Sequence, residues 1–175
     1  MFDKLGGTFV TGITIVTDKL KSVLENLEVF KKNEILIGIP AEKTQRKPYG
    51  NETLEINNAQ IGFINEFGSP QKRIPARPFL IPAIKKVKPK MVSILKSSAK
   101  NFTKDKTAVL VGLERSGAVA RDAAKNIIRT QEGFQALSPK TIAERKRKNK
   151  NVKGEKALIR TGQLLNSLTY VVRNK

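Results

Sequence analysis

Apolar and polar residues alternate along the chain with periods that change from segment to segment. Leu20, Val23, Leu24, Leu27 and Phe30 recur at helical spacing, because 3.6 residues per turn place positions three and four apart on one stripe. Thr17 or Asp18 offers an N-cap oxygen, and Lys31 and Lys32 suit the negative C-terminal end. Glu34 to Ile39 then reads as a buried strand stopped by Pro40. Upstream, residues 8–16 are rich in Thr, Val and Ile, which favours a strand, though Gly12 weakens it. The same stretch has the look of a signal core, but Thr and Gly interrupt it and Asp3 offsets Lys4. A strand or a buried helix entry is the better reading.

Residues 40–55 lose this periodicity and read as a flexible, polar loop. Asn57 or Asn58 begins a short helix in which Ala59, Phe63 and Phe67 share a face, with Gly68 as its stop. Four prolines, Pro70, Pro75, Pro78 and Pro82, predict an extended connector over 68–82, anchored by Phe79, Leu80 and Ile81. Helical spacing resumes at Ile84, Val87, Met91 and Ile94 or Leu95, with Pro89 either starting or kinking that helix. A long helical stretch opens at Asp105 and runs to about Arg129. Val109, Leu113, Val119, Ala120, Ala124, Ile127 and Ile128 form its apolar face, and Gly117, Ala118, Ala120, Ala123 and Ala124 would admit a neighbouring helix closely.

Leu137-Ser138-Pro139 is a strong helix start, with Ser as N-cap, Pro at the first helical position and Leu137 able to staple against Ile142. The helix it opens, over 139–148, is almost wholly polar and basic, and 149–156 reads as flexible. Thr161 caps a turn from Gly162 to Ser167 with Leu164, Leu165 and Leu168 inward, and Thr169 to Val172 closes as a strand. The sum is one α+β domain over residues 1–175: a small, mostly antiparallel sheet packed against several helices, with an open loop at 40–55 and a basic arm at 137–160.

Composition narrows the chemistry. The 175 residues include no Cys, His or Trp. That removes Ser-His-Asp and Cys-His catalysis, redox thiols, disulfides and Cys/His zinc sites. The carboxylates are scattered: Glu52 and Glu55 lie in or beside a loop, and Glu114 and Asp122 are eight apart on a helix. Lys140 follows Ser138 by two residues, which makes no Ser-Lys dyad, and no phosphate-cradling Gly-rich loop is present. The expectation is a non-enzyme without a cofactor or metal. No run reaches the roughly 18 apolar residues of a membrane span.

The formal net charge is +19, and it is concentrated. Residues 68–104 carry ten basic side chains and no acid, and residues 137–160 carry a net +7. The functional reading is contact with nucleic acid, each neutralised phosphate releasing a counterion. The bland reading is a solvated lysine-rich surface. Lysine outnumbers arginine and aromatics are not interleaved with the basic runs, which argues against base readout and base stacking. Lys140, Arg145, Lys146, Arg147 and Lys148 remain candidates for non-specific contact with DNA or an acidic partner.

Two segments carry information beyond composition. One is Asn58-Ala59-Gln60-Ile61-Gly62-Phe63-Ile64-Asn65-Glu66-Phe67-Gly68-Ser69, running into Ile74-Pro75-Ala76-Arg77-Pro78-Phe79-Leu80. The other is Leu137-Ser138-Pro139-Lys140-Thr141, then, after a basic gap, Leu158-Ile159-Arg160-Thr161-Gly162-Gln163-Leu164-Leu165-Asn166-Ser167-Leu168-Thr169-Tyr170. In this order they resemble the neck and tail-completion proteins of tailed bacteriophages, including the Mu-like virion morphogenesis proteins. That family has an A-x-I-x-x-x-x-E-F-G helix before I-P-A-R-P-F, and an L-S-P-x-T helix leading to L-x-x-T-G-x-L-x-x-S-I-x-Y. The match covers residues 58–80 and 137–172, and Leu168 stands where the family often has Ile.

The resemblance implies a structural virion protein at the head–tail junction, made in the bacterial host cytoplasm. It implies a homo-oligomeric ring, hexameric or else dodecameric, between the head connector and tail-tube proteins, with DNA in the channel and no membrane. Its motif residues here are Glu66, Phe67, Gly68, Pro75, Arg77, Pro78, Phe79, Ser138, Pro139, Thr161, Gly162 and Leu164. From the residues themselves, Glu66-Phe67-Gly68 is expected to end a helix by burying Phe67, and Ile74 to Pro78 to act as a stiff strap placing Phe79. The alternatives are a basic nucleic-acid-binding protein and a transient phage assembly factor.

Overall fold

Two long helices frame the protein, and the other elements attach to them. The computed structural model describes residues 20–47, 56–102, 105, 107–148 and 155–175. The expected strand at 8–16, the caps at Thr17 or Asp18, residues 48–55 of the loop and residues 149–154 lie outside these. In chain order the elements are α1 (residues 20–32), β1 (Asn33–Gly38), α2 (Asn58–Phe67), α3 (Leu80–Asn101), α4 (Ala108–Thr130), α5 (Pro139–Lys148), α6 (Gln163–Ser167) and β2 (Thr169–Asn174). The class is α+β, mostly helical with a small antiparallel sheet.

Helices α3 and α4 form a hairpin whose close approach rests on small residues. A Cβ added at Gly112 would stand 2.2 Å from Ser98 Oγ, and one at Gly117 would stand 2.3 Å from the Tyr170 ring. Ser116, fully buried, directs its hydroxyl at the Met91 carbonyl. The small-residue face of α4 thus admits both α3 and β2, as its composition predicts. The helix begins at Ala108 rather than Asp105, whose carboxylate instead accepts from the Thr107 N–H and hydroxyl.

The sheet pairs β1 with β2 in antiparallel register from Asn33↔Asn174 to Gly38↔Thr169. Its inner face sends Ile35 and Val172 onto a cluster of Phe102, Val109 and Leu113, joined by Val29 and Phe30 of α1. Its outer face leaves the paired Leu36 and Val171 exposed. The strand read as buried at 34–39 is therefore half-buried, because helices cover one side only. A second cluster gathers Phe79, Ala83, Ala124, Ile127, Ile128 and Leu168, with Leu80, Leu158, Ile159 and Leu165 packed around it. Each large apolar side chain fully buried there is worth about 1.5–3 kcal/mol.

Three sequence expectations are corrected. Phe67 is not buried at the helix end but 58% exposed, beside Phe63 at 66% on the face they share, with ring centroids 4.8 Å apart and the rings tilted by 48°. The inward face of α2 is Asn58, Gly62 and Glu66. Gly62 lies there because a Cβ would already touch Ile39, Leu164 and Phe79, so bulk on this face is excluded. Secondly, the apolar stripe of α1 points outward: Leu20, Val23, Leu24 and Leu27 are each more than half exposed, and only Phe30 of the five packs on the core.

Thirdly, the proline-rich connector is not extended throughout. Ser69 and Ile74 exchange backbone hydrogen bonds around a short 3-10 turn at Pro70–Lys72, and α3 already begins at Leu80. Pro82 falls in the first helical turn, where its missing N–H removes no intrahelical bond. Pro89 neither starts nor ends α3 but sits within it at an exposed position, where water can reach the carbonyl that a proline leaves free.

Candidate binding cleft

The two motif-bearing segments, far apart in sequence, meet in space. Asn57 caps α2 reciprocally with Gln60, and Gly68 stops the helix at φ 77°, where a Cβ would press on the Ala76 backbone at 2.9 Å. Glu66, 7% exposed, projects from the last turn of α2 onto the start of α3. Its Oε2 accepts from Phe79 N at 2.8 Å and Leu80 N at 2.9 Å, and its Oε1 accepts from Ile81 N at 2.9 Å. A carboxylate satisfying three N–H groups at a positive helix end is the electrostatically favoured arrangement. The strap is further pinned by the Arg77 N–H, which donates to the Asn65 carbonyl at 2.6 Å.

Arg77 is itself buried, 7% exposed. Its Nε donates to the Gln135 carbonyl at 2.9 Å, and its Nη2 reaches the Ala136 carbonyl at a marginal 3.5 Å. This guanidinium therefore fastens the segment just ahead of α5. Ser138 opens α5 as predicted, its Oγ accepting from Thr141 N. At α6 the N-cap position belongs to Gly162, at φ 72°, not to Thr161, whose hydroxyl instead accepts from Gln163 N at 3.4 Å. Leu164 is buried against Gly62 and Phe79, and Pro75 and Pro78 flank Arg77 in the strap.

Between these elements lies a half-open cleft of about 230 Å³. Four arginines line it: Arg46, Arg77, Arg145 and Arg160, together with the polar side chains of Asn58, Asn65, Thr161 and Gln163. None of the described lining residues is acidic. Burial pushes the Arg77 guanidinium below its ordinary range. The same holds for Arg145, where burial is the larger cause and the positive charge of Arg77 adds to it. Arg145 Nη1 also donates to the Lys156 carbonyl at 3.0 Å. The Oδ1 of Asn58 is buried without a hydrogen-bond donor, while its Nδ2 reaches the Lys43 and Gln45 carbonyls.

Side-chain amides fasten the segments around the cleft. Gln163 accepts from Lys47 N at 2.8 Å and donates to Lys47 O at 3.0 Å, so the proximal part of the 40–55 loop is fastened rather than open. Gln131, just past α4 in a left-handed conformation, donates to the Ile128 and Ala157 carbonyls and accepts from Ala157 N at 2.6 Å. Sequence reasoning singled out none of Asn58, Gln131 and Gln163 as site residues. For Asn58 the available signal was its spacing of four and eight from Gly62 and Glu66, which places the three on one face of α2.

The basic run of α5 does not form a single patch. Arg145 turns into the cleft, Lys146 pairs with Glu155 at 3.4 Å, and Lys140 and Arg147 are exposed. Successive helical residues point about 100° apart, so contiguous basics cannot share a face. No side-chain environment is described for Lys148. Among the described residues no cluster of three or more acidic groups is placed to hold a metal ion, and no helix is long and apolar enough to cross a membrane.

No family model matches the chain, and no solved structure matches it. A stretch of 53 residues is 41% identical to part of an uncharacterized protein of Methanocaldococcus jannaschii, spanning 30% of this chain and 39% of that protein. The match thus covers well under half of the relative's length, and its description carries no activity.

Proposed function

We propose that this chain is a structural virion protein of the phage head–tail junction, a neck or tail-completion subunit that joins the connector to the tail. It is made in the bacterial host cytoplasm, carries out no catalysis and works by assembly. The observation that carries the reading is the outward placement of large apolar side chains on α1 and α2. Phe63 and Phe67 stand side by side on the surface of α2, their rings tilted, and Leu20, Val23, Leu24 and Leu27 line the surface of α1. Contiguous exposed apolar groups mark protein interfaces. Two such surfaces on different elements suit head-to-tail association, which closes into a ring when the rotation per subunit allows. The resemblance favours six copies over twelve.

The reading also gains support from the way the family-like segments build one unit, with Glu66, Gly68, Arg77, Phe79, Ser138 and Leu164 all in structural contacts. Images of the purified protein or of particle necks should show a ring. A null mutant should accumulate filled heads and finished tails that fail to join. Failure of the heads themselves to form would refute the proposal.

A second reading, non-specific DNA binding, draws on the exposed lysines of α3, Lys85, Lys88, Lys96 and Lys100. It predicts duplex binding that falls steeply with salt and is abolished by Lys→Glu changes on that helix.

A further inference from the structure

Helix α3 holds six lysines and no acid, and all six are exposed. Lys86 bonds both oxygens of Glu132, at 2.8 and 2.9 Å. Lys85, Lys88, Lys96 and Lys100 have no acidic partner among the described residues. With 3.6 residues per turn these four fall within an arc of about 120°, and at 1.5 Å per residue they span about 22 Å. They form two pairs, Lys85 with Lys88 and Lys96 with Lys100, separated on that face by the exposed Pro89 and Val92. Like charges three or four apart on a helix destabilise it, and nothing described in the fold offsets this row.

The row borders a second set of donors. Ser93 and Ser97, both exposed, open a groove of about 550 Å³ between α3 and α4, walled further by Ser98, Asn101 and Arg115. Arg115 is exposed and also has no acidic partner among the described residues. Among the described lining residues the acid is Asp105, and its carboxylate is occupied by the Thr107 N–H and hydroxyl.

We infer that this face of α3, together with Arg115 of α4, is a contact for the backbone of duplex DNA, with Lys85, Lys88, Lys96, Lys100 and Arg115 each meeting one phosphate without regard to sequence. Three observations select a phosphodiester chain. The lysine row is convex and long, which suits a linear lattice of charges better than a single carboxylate. Lysine and arginine cations flanked by hydroxyls and an amide are the groups that meet phosphate oxygens. The row itself holds neither arginine nor an aromatic ring, so it lacks the means for base readout or base stacking. This inference rests on the DNA-binding reading above and deepens it, naming the groups that bear the phosphates and their number.

The test is fluorescence anisotropy on the full chain with a labelled duplex of about 20 base pairs, titrated from about 50 to 200 mM potassium chloride. Five contacts at about 0.9 each predict a slope of about −4.5 for log affinity against log salt. Two duplexes of unrelated sequence should bind within about threefold of each other. Lys88→Gln with Lys96→Gln should make the slope shallower by about 2 and weaken binding at least about tenfold at 100 mM salt, with circular dichroism unchanged. Arg115→Gln should remove about 1 from the slope. Lys140→Gln with Arg147→Gln, exposed on α5, should shift it by less than about 0.5. Polyglutamate of matching charge should displace the duplex far less readily than unlabelled duplex does. A slope of about −2 or shallower, or one that Arg115→Gln leaves unchanged, would overturn the inference and leave the DNA-binding reading in place. Absence of duplex binding would overturn both. An equal effect of the α5 pair, or displacement by polyglutamate as readily as by duplex, would also overturn the inference.

Discussion

Removing the Glu66 carboxylate should cost more than any other single polar substitution in the described structure. Its two oxygens satisfy the N–H groups of Phe79, Leu80 and Ile81, and Phe79 lies in the core at 2% exposure. Each donor left without a partner costs about 1–3 kcal/mol when buried, and charge-assisted bonds lie at the upper end of the range. Water can reach the Ile81 end, since Ile81 is exposed, so that donor contributes least. Glu66→Ala is therefore expected to destabilise by about 3–5 kcal/mol, a loss reserved for a few mechanisms, of which a broken buried network is one. Glu66→Gln keeps the volume and one acceptor but turns an NH₂ toward backbone donors, and should lose about 2–3 kcal/mol. Urea unfolding followed at 222 nm, with the slope checked for constancy, measures both. If both variants stay within about 0.5 kcal/mol of the parent, the role assigned to this carboxylate is wrong.

Gly112→Ala should destabilise by about 1–3 kcal/mol despite alanine's better helix propensity, because the new methyl meets Ser98. In a double-mutant cycle Ser98→Gly should recover about 1 kcal/mol or more of that loss, and strict additivity would refute the packing argument. Phe63→Ser with Phe67→Ser should leave subunit stability within about 0.5 kcal/mol per site while weakening self-association, read by sedimentation; unchanged association would remove these rings from the interface. Asp122 is held below the ordinary carboxylate range first by its hydrogen bond from Arg121, then by the charges of Arg121, Lys125 and Arg129. Asp105 is held down by the Thr107 hydroxyl and N–H. A depressed folded-state pKa adds stability that is present above the unfolded value and lost as pH falls through the folded one. Denaturation midpoints should therefore fall on acidification below the carboxylate range, and Asp122→Asn should flatten that limb slightly, both groups being largely exposed.

The helices and their spacing were legible because local signals agreed. Ser138-Pro139 opens α5, Asn57 caps α2, Gly68 ends it, and the small-residue face of α4 receives α3 and β2. The two strands were legible from their β-branched runs, though their pairing depended on residues more than a hundred positions apart. The cleft was only partly legible. Arg77, Thr161 and Leu164 stood out through the resemblance, and Arg145 through its basic run. Asn58, Gln131 and Gln163 did not, because an amide that bridges distant backbone has no local signature.

The sequence by itself determined the element types, the concentration of charge in two segments and the absence of His and Cys chemistry, all of which follow from residue identity and nearest-neighbour spacing. Tertiary structure decided which face of each helix is buried. The aromatic face of α2 and the leucine stripe of α1 carry the same periodicity whether they meet a core or solvent. Periodicity specifies that a face exists, but what opposes it depends on the whole fold. On α2, Gly62 and Glu66 won the inward position because a close helix contact needed no side chain there and the start of α3 needed a carboxylate. The same packing turned Arg145 away from its basic neighbours and brought it to Arg77, so a run of charge that reads as one surface became part of a cleft.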